Sequence, residues 1–442
     1  MSGSGKGSTC FNEHVCWGVT VSACAALAVP GIAHGGVTWT KPAGASGSQP
    51  AAGISTDGKT TYAAWLDNGT VKVAVDGKVK SVGSGAYPRE EPALAVQNAG
   101  AGLLFGSACN TASAKVSFVG SPDKGSTWTA PVVVANEPCA ALSLHSSSDG
   151  QKLMATWLAS TDVAFDDSPT VSRVSNSADG GKTWTTATDM PWGETPAAPL
   201  YALSSDGSKA VAVAMRSKRG DKAIQVARSD DGGKTWTQGT DVVQDTVDLL
   251  GLDMDASADL THVALSWMRS PDSGDQLHTS VSDDAGATWG KATAVGKKGE
   301  YPDARVAISD DGKKAATIWM QNTSTWSQKM LYSRSTNGGK TWKAAKVAVG
   351  SKTGKFFPSF EMSTDGKRMI VLWSGALSKN GKRAVGAATS TGKSWKVQNL
   401  QKTKGAVLGT QLAASASAKR AIAAWQVGAK TPKVYRSSGK IS

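Results

Sequence analysis

The chain has 442 residues, 40% of them hydrophobic, and its 48 Lys and Arg outweigh 35 Asp and Glu to give a formal net charge of +13. A chain of this size buries a large core and could by length alone form two or three domains. Its lysines are spread through Gly-Lys turns with no aromatic–basic recognition motif, which argues against nucleic acid as a partner.

Residues 1–33 stand apart from the repeats that fill the remainder of the chain. Lys6 precedes an apolar run from Val15 to Val29, and Pro30-Gly31-Ile32-Ala33 places small residues where a signal peptidase reads. The run is too short for a comfortable membrane span. A cleaved secretory signal peptide at 1–33 is therefore expected, with a secreted protein from 34 to 442 and no transmembrane segment. Val21-Ser22-Ala23-Cys24 also has lipobox character, so lipid attachment through Cys24 is the alternative. Cleavage removes one Lys and one Glu and leaves the net charge unchanged. It also removes Cys10, Cys16 and Cys24, leaving Cys109 and Cys139.

Gly35-Gly36-Val37-Thr38-Trp39-Thr40 copies the second half of a motif that becomes complete further on. SPDKGSTW places Ser121, Asp123, Gly125 and Trp128; SADGGKTW places Ser177, Asp179, Gly181 and Trp184; SDDGGKTW places Ser229, Asp231, Gly233 and Trp236. SDDAGATW then gives Ser282, Asp284, Gly286 and Trp289, and STNGGKTW gives Ser335, Asn337, Gly339 and Trp342. Asp or Asn can bond backbone N–H groups two residues on, and Gly supplies a positive φ, so each copy is a tight turn. Alternating apolar and polar residues ahead of the copies, as in 223–228 and 330–334, mark half-buried strands. Each motif is therefore a hairpin turn whose Trp packs back onto the sheet, at the seam with a neighbour.

A second repeat lies between these: an apolar strand, an Asp-Gly turn, and a strand ending at Trp65, Trp157, Trp319 or Trp373, with weaker copies ending at Phe105, Met215, Trp267 and Trp425. The two repeats together give eight four-stranded units, the first of them short. Such units arranged in a ring form an all-β propeller, with eight blades expected and seven as the alternative. The last unit stops where its fourth strand should begin, so the fragment at 35–40 is expected to complete that blade and close the ring. The expected organisation is one domain from 34 to 442.

Strand polarity places Cys109, after the second strand of unit 2, on the same face as Cys139, before the first strand of unit 3. A disulfide is expected in an oxidising compartment, the alternative being two buried thiols. No metal-ligand spacing links His34, His145, His262 and His278, and no redox, phosphate-loop or nucleophile-elbow motif is present. No cofactor and no metal are expected; Asp162, Asp166 and Asp167 offer oxygen ligands but read first as a solvated acidic loop.

The five Ser-x-Asp-x-Gly-x-x-Trp turns on four-stranded repeats resemble the Asp-box (bacterial neuraminidase repeat) propellers of the sialidase-like superfamily. The resemblance covers 35–442. It implies that the boxes lie on the face away from any active site, so Asp123, Asp179, Asp231 and Asp284 are structural. The opposite, loop-bearing face gathers Arg, carboxylate and aromatic residues, from which the ligand-binding candidates come: Arg89, Glu90, Glu194, Arg216, Arg219, Arg269, Tyr301, Asp303, Arg305 and Trp326. Sialidases hold a carboxylate with three Arg beside a Tyr–Glu pair and an acidic Asp. Here the Arg-Ile-Pro segment of that pattern is absent, Pro88-Arg89-Glu90 being its nearest match, and no residue takes a catalytic assignment. The expected function is an exported, monomeric binding or scaffold protein for glycans or anionic cell-surface polymers. A sialidase-like exo-glycosidase is the alternative. The positive charge reads either as a solvated surface or as attraction to such polymers.

Overall fold

The computed structural model describes residues 37–441 except 88–89, 161–169, 195–198, 219–220, 272–273, 300–302, 325–326, 351–354, 377–382 and 393. Eight antiparallel sheets succeed one another along the chain, and the described residues contain no helix. The first strands of the eight blades are Ser48–Ile54, Ala93–Val96, Ala140–Ser146, Leu200–Leu203, Asp248–Ala256, Ala304–Ile308, Lys355–Met362 and Val407–Ala414. These strands contact one another around the ring and so form its inner wall.

Blade 8 is completed from the other end of the chain. Val37–Trp39 pairs antiparallel with Lys433–Ile441, Trp39 standing opposite Gly439, and Ala43–Ser46 continues along the same strand. Trp39 is buried with Leu412, Val385 and Ile441. The short first unit is a full four-stranded blade; its last hairpin turns through Asp76-Gly77, both at positive φ, in place of an eight-residue box.

In each box the side chains replace a backbone turn network. Ser121 Oγ donates to Asp123 Oδ1 at 2.9 Å and accepts the Gly125 N–H at 2.7 Å. Asp123 in turn accepts the Thr127 N–H at 2.8 Å and the Thr127 hydroxyl at 2.7 Å. The same four bonds recur from Asp179, Asp231 and Asp284. Asn337 keeps three of them and reverses the fourth, its amide N–H donating to Thr341 Oγ1 at 2.9 Å. The box glycine meets the preceding blade: a Cβ on Gly181 would stand 2.1 Å from the Phe118 ring, and one on Gly233 2.6 Å from Met154 Sδ. Positive φ and this close approach together require Gly there. The box Trp residues are half-buried in the same seams, Trp184 lying edge-on to Phe118 with centroids 5.3 Å apart. The Trp residues that end second strands (Trp65, Trp157, Trp267, Trp319, Trp425) are fully buried.

The first and third strands of a blade run the same way, so the first-hairpin turns share the face of the boxes. There a chain of inter-blade bonds runs from blade 3 round the axis to blade 2. Ser148 N–H donates to Ser205 O at 2.7 Å, Ser205 to Ala258 O at 2.6 Å, Asp310 to Thr364 O at 2.9 Å, Thr364 to Ala416 O at 3.0 Å and Ala416 to Thr56 O at 3.2 Å. Asp310 Oδ1 accepts the Ala258 N–H at 3.1 Å, and Asn98 Oδ1 accepts from Asp57 N–H at 3.0 Å.

Trp39→Ala removes a buried side chain at the closing seam and is expected to cost on the order of 3–5 kcal/mol, read from urea unfolding. An effect below about 1 kcal/mol would mean that the N-terminal strand does not close the ring. Within the boxes, Asp179→Asn is expected to cost less than Asp179→Ala, which removes the acceptor of the exposed Thr183 N–H and hydroxyl and of Ser177 Oγ at about 1 kcal/mol. Equal losses in thermal melts would contradict the turn geometry.

Candidate functional site

The loop face carries the candidates, and the structure changes how several are held. Arg216 and Arg269 lie near the ends of strands Ala210–Lys218 and Val263–Ser270, because alternating residues extend both hairpins past the expected loop starts. Asn322 likewise lies within Ala315–Ser324. Glu194 ends the strand Thr188–Glu194. Arg89, Arg219, Tyr301 and Trp326 lie outside the described residues, as do Asp162, Asp166 and Asp167.

Each described candidate Arg is held by carboxylates. Arg216 Nη2 is 2.9 Å from Asp221 and 3.2 Å from Asp241. Arg269 binds Asp245 through both Nε and Nη2, and this guanidinium keeps the Asp245 carboxyl below its usual range. Arg305 pairs with the buried Asp303 and stands 4.0 Å from Asp253. These pairs belong to blade 4, to the blade 4–5 link and to blades 5–6 respectively. Arg173, which the sequence did not single out, bridges Glu137 and Asp189, and Glu137 accepts the Trp157 indole N–H at 2.8 Å.

Glu90 and Glu91 sit at the channel mouth. Glu90 Oε2 accepts the Ala141 N–H of blade 3 at 3.2 Å, while Gln411 of blade 8 donates to Glu91 at 3.4 Å. Burial raises both carboxyls to about 7, and Glu91's charge adds to the shift at Glu90. On the far side of the channel a cavity is lined by Asp253, Asp255, Arg305, Asp310, Phe360 and Glu361. Asp253 accepts the Val306 N–H and Asp255 the Ile308 N–H, each at 2.8 Å. These carboxylates cap inner-strand N–H groups that would otherwise face the channel unpaired. Burial raises Asp253 to about 6 and Asp255 to about 7. Their sequence signal was a pair of acids at alternate positions in a first strand that is apolar from Leu249 to Leu252.

Cys109 and Cys139 form a buried disulfide with Cα atoms 4.8 Å apart, tying the blade 2 loop to the link into blade 3. Gly106 makes room for it, since a Cβ there would meet Cys109 Sγ at 2.1 Å. His145 is buried against Ser143 Oγ at 2.8 Å, and burial lowers its pKa to about 4. Among the described residues no group of three or more His, Cys, Asp or Glu could hold a metal, and no helix is long and apolar enough to cross a membrane.

Residues 105–312 match the BNR repeat-like domain family. The chain is thus an eight-bladed β-propeller that carries a BNR repeat-like region and five box turns. Similar solved structures include the WD40 domain of SCAP from fission yeast, at 10% identity over 90% of this chain and 92% of that one, with a TM-score of 0.52. The polysaccharide lyase Uly1 is 9% identical over 81% of this chain and 91% of its own, with a TM-score of 0.51. An α-L-arabinofuranosidase, Arb93A, from Fusarium graminearum is 15% identical over 67% and 92% of the two chains, with a TM-score of 0.43. At these identities the likeness is one of fold. No curated protein matches the sequence.

Two opposed sets of carboxylates set the pH response. Asp253 and Asp255 have folded pKa values above their unfolded ones, so their contribution is largest at low pH and is lost as pH rises through about 6 to 7. Asp179, lowered to about 2 by the Thr183 hydroxyl and N–H, contributes above its unfolded value and loses that as pH falls toward 2. The melting temperature is therefore expected to peak near about pH 4, the unfolded carboxyl value that both sets share, and to fall on both sides. Asp255→Asn, which keeps an acceptor for Ile308, should flatten the alkaline limb. Melts that rise steadily from pH 5 to 8 would contradict this.

Proposed function

We propose that this protein is an exported binding or scaffold propeller that holds glycans or anionic cell-surface polymers, and that it does not hydrolyse them by the sialidase route. The observation that carries this reading is how the charge is divided. The described candidate guanidiniums are neutralised by Asp221, Asp241, Asp245, Asp303 and Asp253, so they already have carboxylate partners where a sialidase would hold its substrate. The excess positive charge rests instead on exposed lysines of turns and outer strands, such as Lys343, Lys346, Lys396, Lys419 and Lys440. Exposed point charges favour loose, salt-sensitive contact with a polyanion over tight seating of one sugar. The buried disulfide and the leader character of residues 1–33 support export.

The test is binding of the full chain to immobilised acidic and neutral polysaccharides at two salt concentrations, beside turnover of a fluorogenic sialoside. Retention on the acidic polymers that weakens with salt, without turnover, is expected. Sialoside turnover with no polymer retention would overturn the proposal.

A further inference from the structure

We infer that the Asp-box face of blades 6–8 is the docking surface for an acidic polysaccharide bearing uronate or sulfate groups. This rests on the polymer-binding reading above and says where on the molecule that binding occurs. The boxes and first-hairpin turns all open on one face, and charge is divided across it. In blades 2–5 the turns at 97–100, 121–128, 147–152, 177–184, 204–209, 229–236, 257–262 and 282–289 hold nine Asp and five Lys, a net of −4. In blades 6–8 the described residues of the turns at 309–314, 335–342, 363–368, 390–395 and 415–420 hold seven Lys and Arg and three Asp, a net of +4. Arg334, Lys343 and Lys440 border these turns and add to the positive side.

The division comes from lost carboxylates as much as from added lysines. Asn337 fills the Asp position of its box and preserves the turn. The blade 7 turn, from Ser390 to Trp395, is shortened and has no acid. Ser417 stands where the other six-residue first-hairpin turns carry Asp, yet Ser415 Oγ still accepts the Arg420 N–H at 3.2 Å. The turns still form without the acids, so the surface field changes while the fold is kept.

Several cations here are aimed at neutral partners. Lys314 Nζ donates to Asp365 O at 2.7 Å, Arg334 Nη2 to Gly366 O at 2.7 Å, and Arg368 Nη1 to Ser417 O at 3.5 Å. Each bond crosses to the next blade, so the three blades sit edge to edge through bonds that use no carboxylate. Ion pairs do engage Lys313, Lys340 and Lys367, at 4.0, 3.8 and 3.2 Å. Arg420 and Lys440 are exposed and directly opposite in register. Like charges so placed destabilise a sheet, so folding gives no reason to keep them.

The partner's chemistry is set by what the turns lack. Trp342 and Trp395 are half-buried in the seams, Trp395 against Tyr332 with centroids 5.4 Å apart, so the tips offer no platform for stacking bases. Among the described residues, the large exposed apolar side chains of this sector are Val347 and Val397 on outer strands and Leu408 at the loop-face end of the blade 8 inner strand; none is on the tips, which gives no wedge for a bilayer there. Cations repeating once per blade suit a chain with a repeating anionic group.

The experiment compares two triple variants of the full chain that remove equal charge: Lys367→Glu/Lys419→Glu/Lys440→Glu, and Lys124→Glu/Lys182→Glu/Lys234→Glu in the opposite half. Affinities for polygalacturonate and dextran sulfate are measured at low and moderate salt, with melts to check folding. The corresponding Gln triples serve if a Glu triple fails to fold. The first variant is expected to lose at least tenfold in affinity and much of its salt dependence, the second less than threefold. Equal losses, or undiminished binding by the first variant while the wild type binds, would overturn the location and leave polymer binding standing. A wild type that binds neither polymer would overturn both readings. One that prefers single-stranded DNA or phosphatidylserine vesicles would overturn the partner class.

Discussion

A four-stranded sheet has two unpaired edges, and a ring of eight such sheets multiplies the problem. Most of this molecule is shaped by how those edges are covered. Inner strands turn their free N–H groups toward the channel, where side chains from neighbouring blades meet them: Glu90 meets Ala141, Asp253 meets Val306, Asp255 meets Ile308, and Gln426 meets Gln49 at 3.1 Å. Outer strands carry charge beside their exposed apolar residues, with Lys78 and Lys80 flanking Val79, Lys346 beside Val347 and Lys396 beside Val397. The edge of Lys433–Ile441 is covered from the far end of the chain, by the strand at Val37–Trp39.

The Asp box answers the same need at the turns. It joins third and fourth strands without leaving buried donors unpaired, and its glycine lets the turn press on the blade before it. Its carboxylate is tied up accepting short bonds from the Ser and Thr of its own turn, which accounts for its depressed proton affinity and gives it no free role in chemistry. Because Asn337 forms the turn equally well, the box charge can vary while the architecture stays fixed. Architecture and surface field are thus separable, which allows one face to be acidic over four blades and basic over three.

Much of the fold was legible in the sequence because its signals are local and periodic. The box spacing marks the blades, the half-motif at 35–40 marks the closing strand, and strand polarity brings Cys109 to Cys139. What escaped depends on contacts between distant segments. Arg216 and Arg269 read as loop residues because a tight hairpin and a loop look alike at a strand's end. Asp253 and Asp255 have no local signal of their role, because the N–H groups they cap lie some fifty residues further on, in the next blade. The charge division was hidden by the lysines that recur in nearly every turn, when the informative change was the disappearance of Asp at Asn337 and Ser417.

From blade 3 round to blade 2, neighbouring blades are locked together by bonds at the box-face turns. Native-state hydrogen exchange tests this locking most directly, through the amides of Ser148, Ser205, Asp310, Thr364 and Ala416. If the ring is closed, these turn amides exchange only with global unfolding, at rates matching the core strands, and all slow together. Exchange at those five amides as fast as in the solvent-facing turns would show that the blades are not joined there, and the account would fail.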